Sequence, residues 1–267
     1  MVESFKAALR EGNMAENTIS AYIYAVNDYF AKHKTLNKRN LLLYKANLIE
    51  QFKPKTVNLR IQALNKFLEH VGKPKLRLKS VKVQQRSYLE NVISQADYIF
   101  FKKKLKQEEN LMWYFVVRFL TATGARVSEL IQIKVEHVRI GYFDIYSKGG
   151  KVRRLFIPKL LRDEAKKWFE EIQQTTGYIF RNRFGERITT RGIAQQLKKY
   201  AERYGLNTNV VYPHSFRHRY AKNFLERFND IALLADLMGH ESIETTRIYL
   251  RRTSSEQQAI VDKVITW

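Results

Sequence analysis

The 267-residue sequence contains no cysteine, which excludes a disulfide framework and metal sites built on thiolates. It also contains no apolar run close to the roughly 20 residues that a membrane-spanning helix needs. The first residues, MVESFKAALREG, lack the apolar core of a signal peptide. These absences predict an intracellular protein with no membrane partner, which we expect in the cytoplasm.

Acidic residues are scarce relative to basic ones. The chain has 48 Lys and Arg against 26 Asp and Glu, and 48 minus 26 gives a net charge of +22. Such an excess favours a polyanionic partner, because neutralising phosphates releases condensed counterions. A generic basic protein is the simpler alternative, but aromatic residues are also plentiful, at 13%. The composition therefore predicts a nucleic-acid-binding protein.

The first 72 residues have the pattern of a small helical bundle. Apolar residues recur there at helical spacing, and Gly12 and Gly72 mark helix ends. Residues 73–92 alternate basic residues with apolar or small ones, which predicts an extended linker that either follows a DNA backbone or is simply solvated. The sequence thus divides into a bundle (1–72), a basic linker (73–92) and a second domain (93–267).

The second domain is predicted to combine helices with one hairpin. Residues 112–120 form an apolar run that must be buried. Two apolar or β-branched runs, 142–146 and 152–157, flank Gly149 and Gly150, and paired glycines accept the positive φ of a hairpin turn. The predicted fold class is therefore mainly α with a small antiparallel β-sheet.

Residues 213–249 carry the strongest chemical signal. His214 and Arg217 are three apart on a predicted helix, so both can reach one anion. Gly239 is predicted to cap the next helix and to place His240 in the turn beyond it. Tyr249 follows nine positions later, about two turns into a helix that Ser242 caps. Metal-free cleavage of a phosphodiester needs fixed positive charge on the phosphate oxygens, and this segment supplies it.

Simpler interpretations exist for each of these residues. One tyrosine among fifteen is more often a core or surface residue. His214 and His218 have the i, i+4 spacing of a helical zinc pair, although Ser215 stands where the metalloprotease signature has glutamate. Arg126 and Glu129, at i, i+3, form either an oriented guanidinium or an ordinary surface salt bridge.

Together these motifs resemble the tyrosine recombinases of the phage integrase family. The resemblance rests on H-x-x-R (214–217), L-x-G-H (237–240) and T-x-x-Y (246–249), with 23 positions from Arg217 to His240 (240 minus 217). T-G-x-R-x-S-E-L at 123–130 and K-G-x-K-x-R at 148–153 add to it. It covers most of the chain and is strongest from about 113 to 250.

The resemblance implies a core-binding helical bundle followed by an α+β catalytic domain. It implies that Arg126, Arg217 and His240 bind the scissile phosphate, that Tyr249 is the nucleophile and that His214 is the general base. It assigns the general acid to Lys148, with Lys151 as the alternative because hairpin registers shift easily. No metal, cofactor, ATP or small-molecule substrate is expected.

The implied function is site-specific recombination of double-stranded DNA through a 3′-phosphotyrosine. The implied assembly is a homo-tetramer on nucleoid DNA, with a monomer allowed in free solution and a C-terminal tail that packs in cis or on a neighbour. The length leaves no room for an additional arm-binding domain. Resolution, inversion, excision and integration all fit, and a type IB topoisomerase or a non-catalytic DNA-binding protein are the alternatives.

Overall fold

The computed structural model describes residues 1–83, 91–146, 152–250 and 254–265. The chain divides into two compact units, Met1–Gln85 and Arg86–Trp267. Each unit has its own hydrophobic core, and the two are described separately below.

The first unit is a bundle of helices around an aromatic core. Phe5 packs edge-on against Phe67, and Tyr29 packs edge-on against Tyr44, with all four rings buried. Such edge-to-face contacts are the favoured geometry for aromatic pairs. Its described elements are α1 (Val2–Glu11), α2 (Glu16–Lys32), α3 (Lys38–Gln51), α4 (Pro54–His70) and a 3₁₀ turn (Pro74–Leu76).

The chain beyond α4 packs back onto the bundle. The Asn65 side chain exchanges two hydrogen bonds with the backbone of Leu78, at 2.8 and 2.9 Å, and Asn58 does the same with Val81, at 2.8 and 3.0 Å. Leu78 is 4% exposed and belongs to the core of the bundle. The predicted linker thus begins with the 3₁₀ turn Pro74–Leu76, and Leu78 and Val81 beyond it are held on the bundle by these hydrogen bonds.

The second unit is helical with one β-hairpin. Strands β1 (Tyr142–Tyr146) and β2 (Val152–Phe156) are antiparallel, with Tyr142 opposite Phe156 and Tyr146 opposite Val152. Its described helices are α5 (Gln95–Gln107), α6 (Leu111–Thr123), α7 (Val127–Leu130), α8 (Val135–Ile140), α9 (Lys159–Glu171), α10 (Thr190–Arg203), α11 (Pro213–Arg227), α12 (Ile231–Met238), α13 (Ile243–Arg247), a 3₁₀ turn (Ile248–Leu250) and α14 (Ser254–Val264).

Two buried clusters hold this unit together. The larger one is centred on α6, whose apolar run is buried as predicted and packs against α5, α9 and α11. A smaller one joins α11, α12 and the 3₁₀ turn through Ala221, Leu225, Leu234, Met238 and Tyr249. The predicted fold class, mainly α with a small antiparallel sheet, is confirmed.

The backbone of Ile93, near the start of the second unit, holds the first turns of α11. The Ser215 hydroxyl accepts a hydrogen bond from the Ile93 N–H at 2.7 Å, and Arg219 Nε donates to the Ile93 carbonyl at 2.9 Å. Both side chains are buried, so α11 has a defined position in the unit. By contrast, Val261 and Val264 on α14 are exposed. Among the described residues, no helix is both long and apolar enough to cross a membrane.

We expect Asn65→Ala to lower the free energy of unfolding of the first unit by about 1–3 kcal/mol, because the buried Leu78 N–H loses its acceptor. Denaturant titration of the full chain measures this change, and amide exchange at Leu78 should accelerate. Asn47→Ala, at an exposed position of α3, is the matched control. Unchanged exchange at Leu78 would show that the segment is held by other contacts.

Candidate active site

The junction between α6 and α7 begins the site. α6 ends at Gly124, whose φ of 64° lies in the left-handed region that glycine adopts without strain. A Cβ at Gly124 would collide with the ring of Tyr220, so a larger residue has no room. The chain then turns, and Arg126 occupies the N-cap position of α7 with its side chain 43% exposed. This geometry leaves the Arg126 guanidinium available to a ligand.

Glu129 is a buried carboxylate that contacts three arginines. It accepts hydrogen bonds from the Arg126 backbone N–H (2.7 Å) and from Arg126 Nη1 (2.9 Å). It also accepts from Arg153 Nη2, and Arg217 Nη1 lies 3.9 Å from it. One negative charge among three positive ones leaves a net positive site, which a bound anion would balance.

Arg217 lies in the interior of the site and is 1% exposed. Its Nη1 donates to the Gly124 carbonyl, and its Nη2 donates to the Met238 carbonyl at 2.7 Å and meets His240 Nε2 at 3.2 Å. Burial, reinforced by Arg126, lowers the pKa of Arg217 to about 10. Arg217 therefore remains charged at neutral pH and joins α11 to the end of α12.

His240 follows the left-handed Gly239 (φ 62°) that ends α12, as predicted. Since the Arg217 guanidinium can only donate, His240 Nε2 accepts, and Nδ1 carries the hydrogen that it donates to Thr246 Oγ1 at 2.8 Å. Burial first, and then the neighbouring arginines, lower the pKa of His240 to about 4. His240 is consequently a neutral, oriented histidine at physiological pH.

Tyr249 is 5% exposed and lies against this histidine. Its ring stacks on His240 with centroids 6.1 Å apart, and it lies 5.2 Å from the ring of His218. Burial raises the pKa of Tyr249, while a hydrogen bond and the charge of Arg217 act in the opposite direction. Ser242 caps α13 as predicted, and Tyr249 lies about two turns beyond this cap. The last of these turns is 3₁₀ rather than α-helical, because α13 ends at Arg247.

Two histidines of α11 form the remaining wall. The rings of His214 and His218 meet edge-on with centroids 4.4 Å apart. Burial and then the Arg217 and Arg126 charges lower the pKa of His214, so its imidazole is neutral and able to accept a proton. Burial lowers the pKa of His218 to about 3, and its buried Nδ1 has no hydrogen-bond partner among the residues that the structure describes.

The structure brings together five of the six predicted site residues. Arg126 bonds the carbonyl of Gly239, next to His240, and Arg217 contacts His240 itself. The ring of Tyr249 lies against His240 and against His218, which meets His214. The five are Arg126, His214, Arg217, His240 and Tyr249. Lys148 and its alternative Lys151 lie outside the described residues.

Two residues, Glu129 and Arg153, make more contacts at the site than the sequence predicted. Glu129 was expected only as the partner of Arg126, yet it is shared among three guanidiniums. Arg153 ends the K-G-x-K-x-R pattern and received no role, although its side chain is only 9% exposed and reaches the site. The K-G-x-K-x-R pattern was the only sequence signal for Arg153. It does not indicate whether Arg153 or the adjacent Arg154 points into the site.

The zinc-pair interpretation requires at least one further ligand near His214 and His218. Among the described residues, no group of three or more His, Asp or Glu side chains could hold a metal ion. The donors at this site are instead guanidinium N–H groups and imidazoles, which suit an oxyanion. An arginine-lined anion site beside a buried tyrosine is the arrangement that enzymes transferring phosphoryl groups through tyrosine require.

Comparisons with known proteins agree with this class. Residues 89–256 match the model of the phage integrase family. Tyrosine recombinase XerA of Pyrococcus furiosus is 28% identical over 275 residues, covering 98% of this chain and 93% of that protein. Tyrosine recombinase XerC of Lactobacillus delbrueckii subsp. bulgaricus is 33% identical over 147 residues, covering 50% of this chain and 48% of that protein.

Solved structures share the fold. A lambda integrase dimer bound to a COC′ core site has a TM-score of 0.74 at 15% identity, covering 100% of this chain and 77% of that one. The recombinase XerH bound to a palindromic difH substrate, in a post-cleavage complex, has a TM-score of 0.71 at 18% identity, covering 96% and 81%. The chain therefore belongs to the phage integrase family and is a tyrosine-type site-specific recombinase.

We expect His218→Phe to change how stability depends on pH. Below about pH 6.5 the unfolded chain protonates His218, whereas the folded chain keeps it neutral until about pH 3, so the wild type loses stability as the pH falls through this window. The variant lacks this loss. The Tm difference between the wild type and the variant should therefore move in favour of the variant from about pH 7.5 to about pH 4.5; a constant difference would contradict the buried neutral histidine.

Proposed function

We propose that this site cuts and rejoins double-stranded DNA through a covalent bond between Tyr249 and a 3′ phosphate. The observation that carries the proposal is the position of Tyr249, whose ring lies against His240, the histidine that contacts Arg217. Three arginines share one carboxylate, Glu129, at this site. A nucleophilic phenol that attacks a phosphodiester bound at this site would form a phosphotyrosine bond.

The phosphate clamp consists of Arg126, Arg217 and His240. Arg126 is partly exposed and held by Glu129 and the Gly239 carbonyl, and Arg217 is fixed by two backbone carbonyls. The two guanidiniums would bind different non-bridging oxygens. His240 would donate only after its hydrogen bonds rearrange around the phosphate, since its Nε2 is an acceptor in the DNA-free protein. Charge accumulates on these oxygens in the transition state, and each donor contributes on the order of 3 kcal/mol.

Tyr249 attacks phosphorus in line while the bond from phosphorus to the 5′ oxygen breaks. The phenol is protonated at neutral pH because burial raises its pKa, so it has to transfer its proton to a base. His214 is the proposed base, since its lowered pKa keeps it neutral. Lys148 gives a proton to the leaving 5′ oxygen, with Lys151 as the alternative. Reversal of the step, with a 5′ hydroxyl from another strand, rejoins DNA without ATP.

Four protomers on two DNA sites complete the proposed reaction, because two rounds of strand exchange need four nucleophiles. The lambda integrase dimer on its core site and the XerH complex with difH support a DNA-bound assembly. The exposed Val261 and Val264 of α14 support docking of the tail on a neighbouring protomer. The enzyme would act on nucleoid DNA in the cytoplasm, as a monomer until it binds DNA.

We expect a duplex with a nick close to the cleavage site to trap wild-type protein as a covalent adduct, because the short cleaved strand diffuses away before rejoining. Tyr249→Phe should give no adduct while binding the same DNA. Denaturing gels of labelled DNA, recovered by selection of bound fragments from the natural host, measure the adduct. Equal adduct from Tyr249→Phe would exclude this nucleophile.

The matched control is Tyr24→Phe, which removes the hydroxyl of an exposed tyrosine in the first unit.

The same experiment with two duplexes of different length distinguishes a recombinase from an enzyme that only relaxes supercoils. A recombinase joins strands from the two duplexes, whereas an enzyme that only relaxes supercoils rejoins each strand to its own duplex.

We expect Lys148→Ala to slow adduct formation by about 100-fold, because the 5′ oxygen then leaves without general-acid assistance. A substrate with sulfur in place of the bridging 5′ oxygen should restore the rate, since a thiolate leaves without a proton. Lys151→Ala is the paired variant. If Lys151→Ala shows the loss and the rescue while Lys148→Ala does not, the general acid is Lys151; if neither variant is rescued, a hairpin lysine is not the acid.

A further inference from the structure

Arg153 is a buried arginine on β2 to which the proposed reaction gives no role. Neighbouring residues on a strand point to opposite faces, and the next residue, Arg154, pairs with Asp144 at 2.8 and 2.9 Å on the exposed face of the hairpin. Arg153 therefore points inward, and its side chain is 9% exposed. Two arginines adjacent in sequence thus have opposite environments.

The Arg153 guanidinium connects two parts of the site. Nη2 donates to Glu129 Oε2, the oxygen that also accepts from the Arg126 backbone N–H. Nη1 donates at 2.8 Å to the Leu237 carbonyl, in the last turn of α12. Carbonyls in the last turn of a helix have no intrahelical partner, so this bond fixes the helix end as well as satisfying it.

The aliphatic stem of Arg153 also shapes the turn that carries His240. A Cβ on Gly239 would overlap the Arg153 Cδ and would lie 2.8 Å from its Nε. The carbonyl of the same glycine accepts a hydrogen bond from Arg126 Nη2 at 3.1 Å. Gly239 is thus in close contact with Arg153 on one side while it holds Arg126 on the other.

We propose that Arg153 is a positioning residue for the phosphate clamp. Through Glu129 it sets the orientation of Arg126, and through the Leu237 carbonyl and Gly239 it sets the position of His240. Arg153 itself does not touch the phosphate. The proposal rests on the proposed function, because it assumes that Arg126 and His240 bind the scissile phosphate. Under this proposal, the rate of DNA cleavage depends on the hydrogen bonds that Arg153 makes to Glu129 and to the Leu237 carbonyl.

The experiment compares Arg153→Gln with Arg154→Gln, which removes the same charge from the adjacent position of the same strand. Adduct formation is measured in a single turnover at saturating nicked DNA, and DNA affinity is measured separately. We expect Arg153→Gln to slow the adduct-forming step by about 100-fold, since a small displacement of clamp residues has effects of this size. Its DNA affinity should match that of Arg154→Gln, and Arg154→Gln should cleave at the wild-type rate.

A double-mutant cycle with Glu129→Gln tests the route of the effect. If Arg153 acts through Glu129, the double variant should cleave little more slowly than the slower single variant. Arg153→Lys keeps the charge but has no fork to reach both partners, so we expect it to be slow as well. If thermal unfolding shows that Arg153→Gln does not fold, Arg153→Lys replaces it in the comparison with Arg154→Gln.

Each opposing result overturns a different statement. Wild-type protein that forms no adduct would overturn the proposed function as a whole. With wild-type adduct present, cleavage by Arg153→Gln or Arg153→Lys as fast as by Arg154→Gln would overturn only the positioning role. Fully additive losses in the cycle would show that Arg153 does not act through Glu129, and a loss seen only in DNA affinity would make it a DNA contact.

Discussion

The site depends on the sharing of one buried carboxylate among three guanidiniums. Glu129 reduces the repulsion among Arg126, Arg153 and Arg217 enough for them to converge, but it does not neutralise them. Each further carboxylate would have reduced the positive charge that remains for a ligand. Since Glu129 offsets one of the three arginine charges, the described part of the site retains positive charge in a fixed geometry, as electrostatic preorganisation requires.

Helix ends supply the rest of the geometry. Gly124 ends α6 and Gly239 ends α12, each in the left-handed conformation, and the carbonyls near both ends accept hydrogen bonds from Arg217 or Arg126. A backbone carbonyl at a helix C-terminus carries partial negative charge, so it holds an arginine without cancelling its full charge. The arginines are thereby oriented and keep their positive charge. Side-chain carboxylates in the same places would have orientated them at the expense of that charge.

Local signals in the sequence predicted much of this arrangement. Gly239 indicated a helix end and Gly149 with Gly150 indicated a hairpin, because each depends on the conformational freedom of a few adjacent residues. The wider role of Glu129 had no such signal, since its partners Arg153 and Arg217 lie 24 and 88 positions away (153 and 217 minus 129). Asn58 and Asn65 likewise resemble ordinary polar residues on α4, although they bind the chain that follows.

The location of Tyr249 has a consequence for the protein before it meets DNA. Tyr249, the proposed nucleophile, completes a small core with Leu234 and Met238 and is only 5% exposed. Oxidants and other electrophiles in solution therefore have little access to the phenol while the enzyme is idle. Because the proposed nucleophile is part of a hydrophobic cluster, loosening of this cluster, by heat or by mutation, would expose the phenol and weaken the fold at the same time.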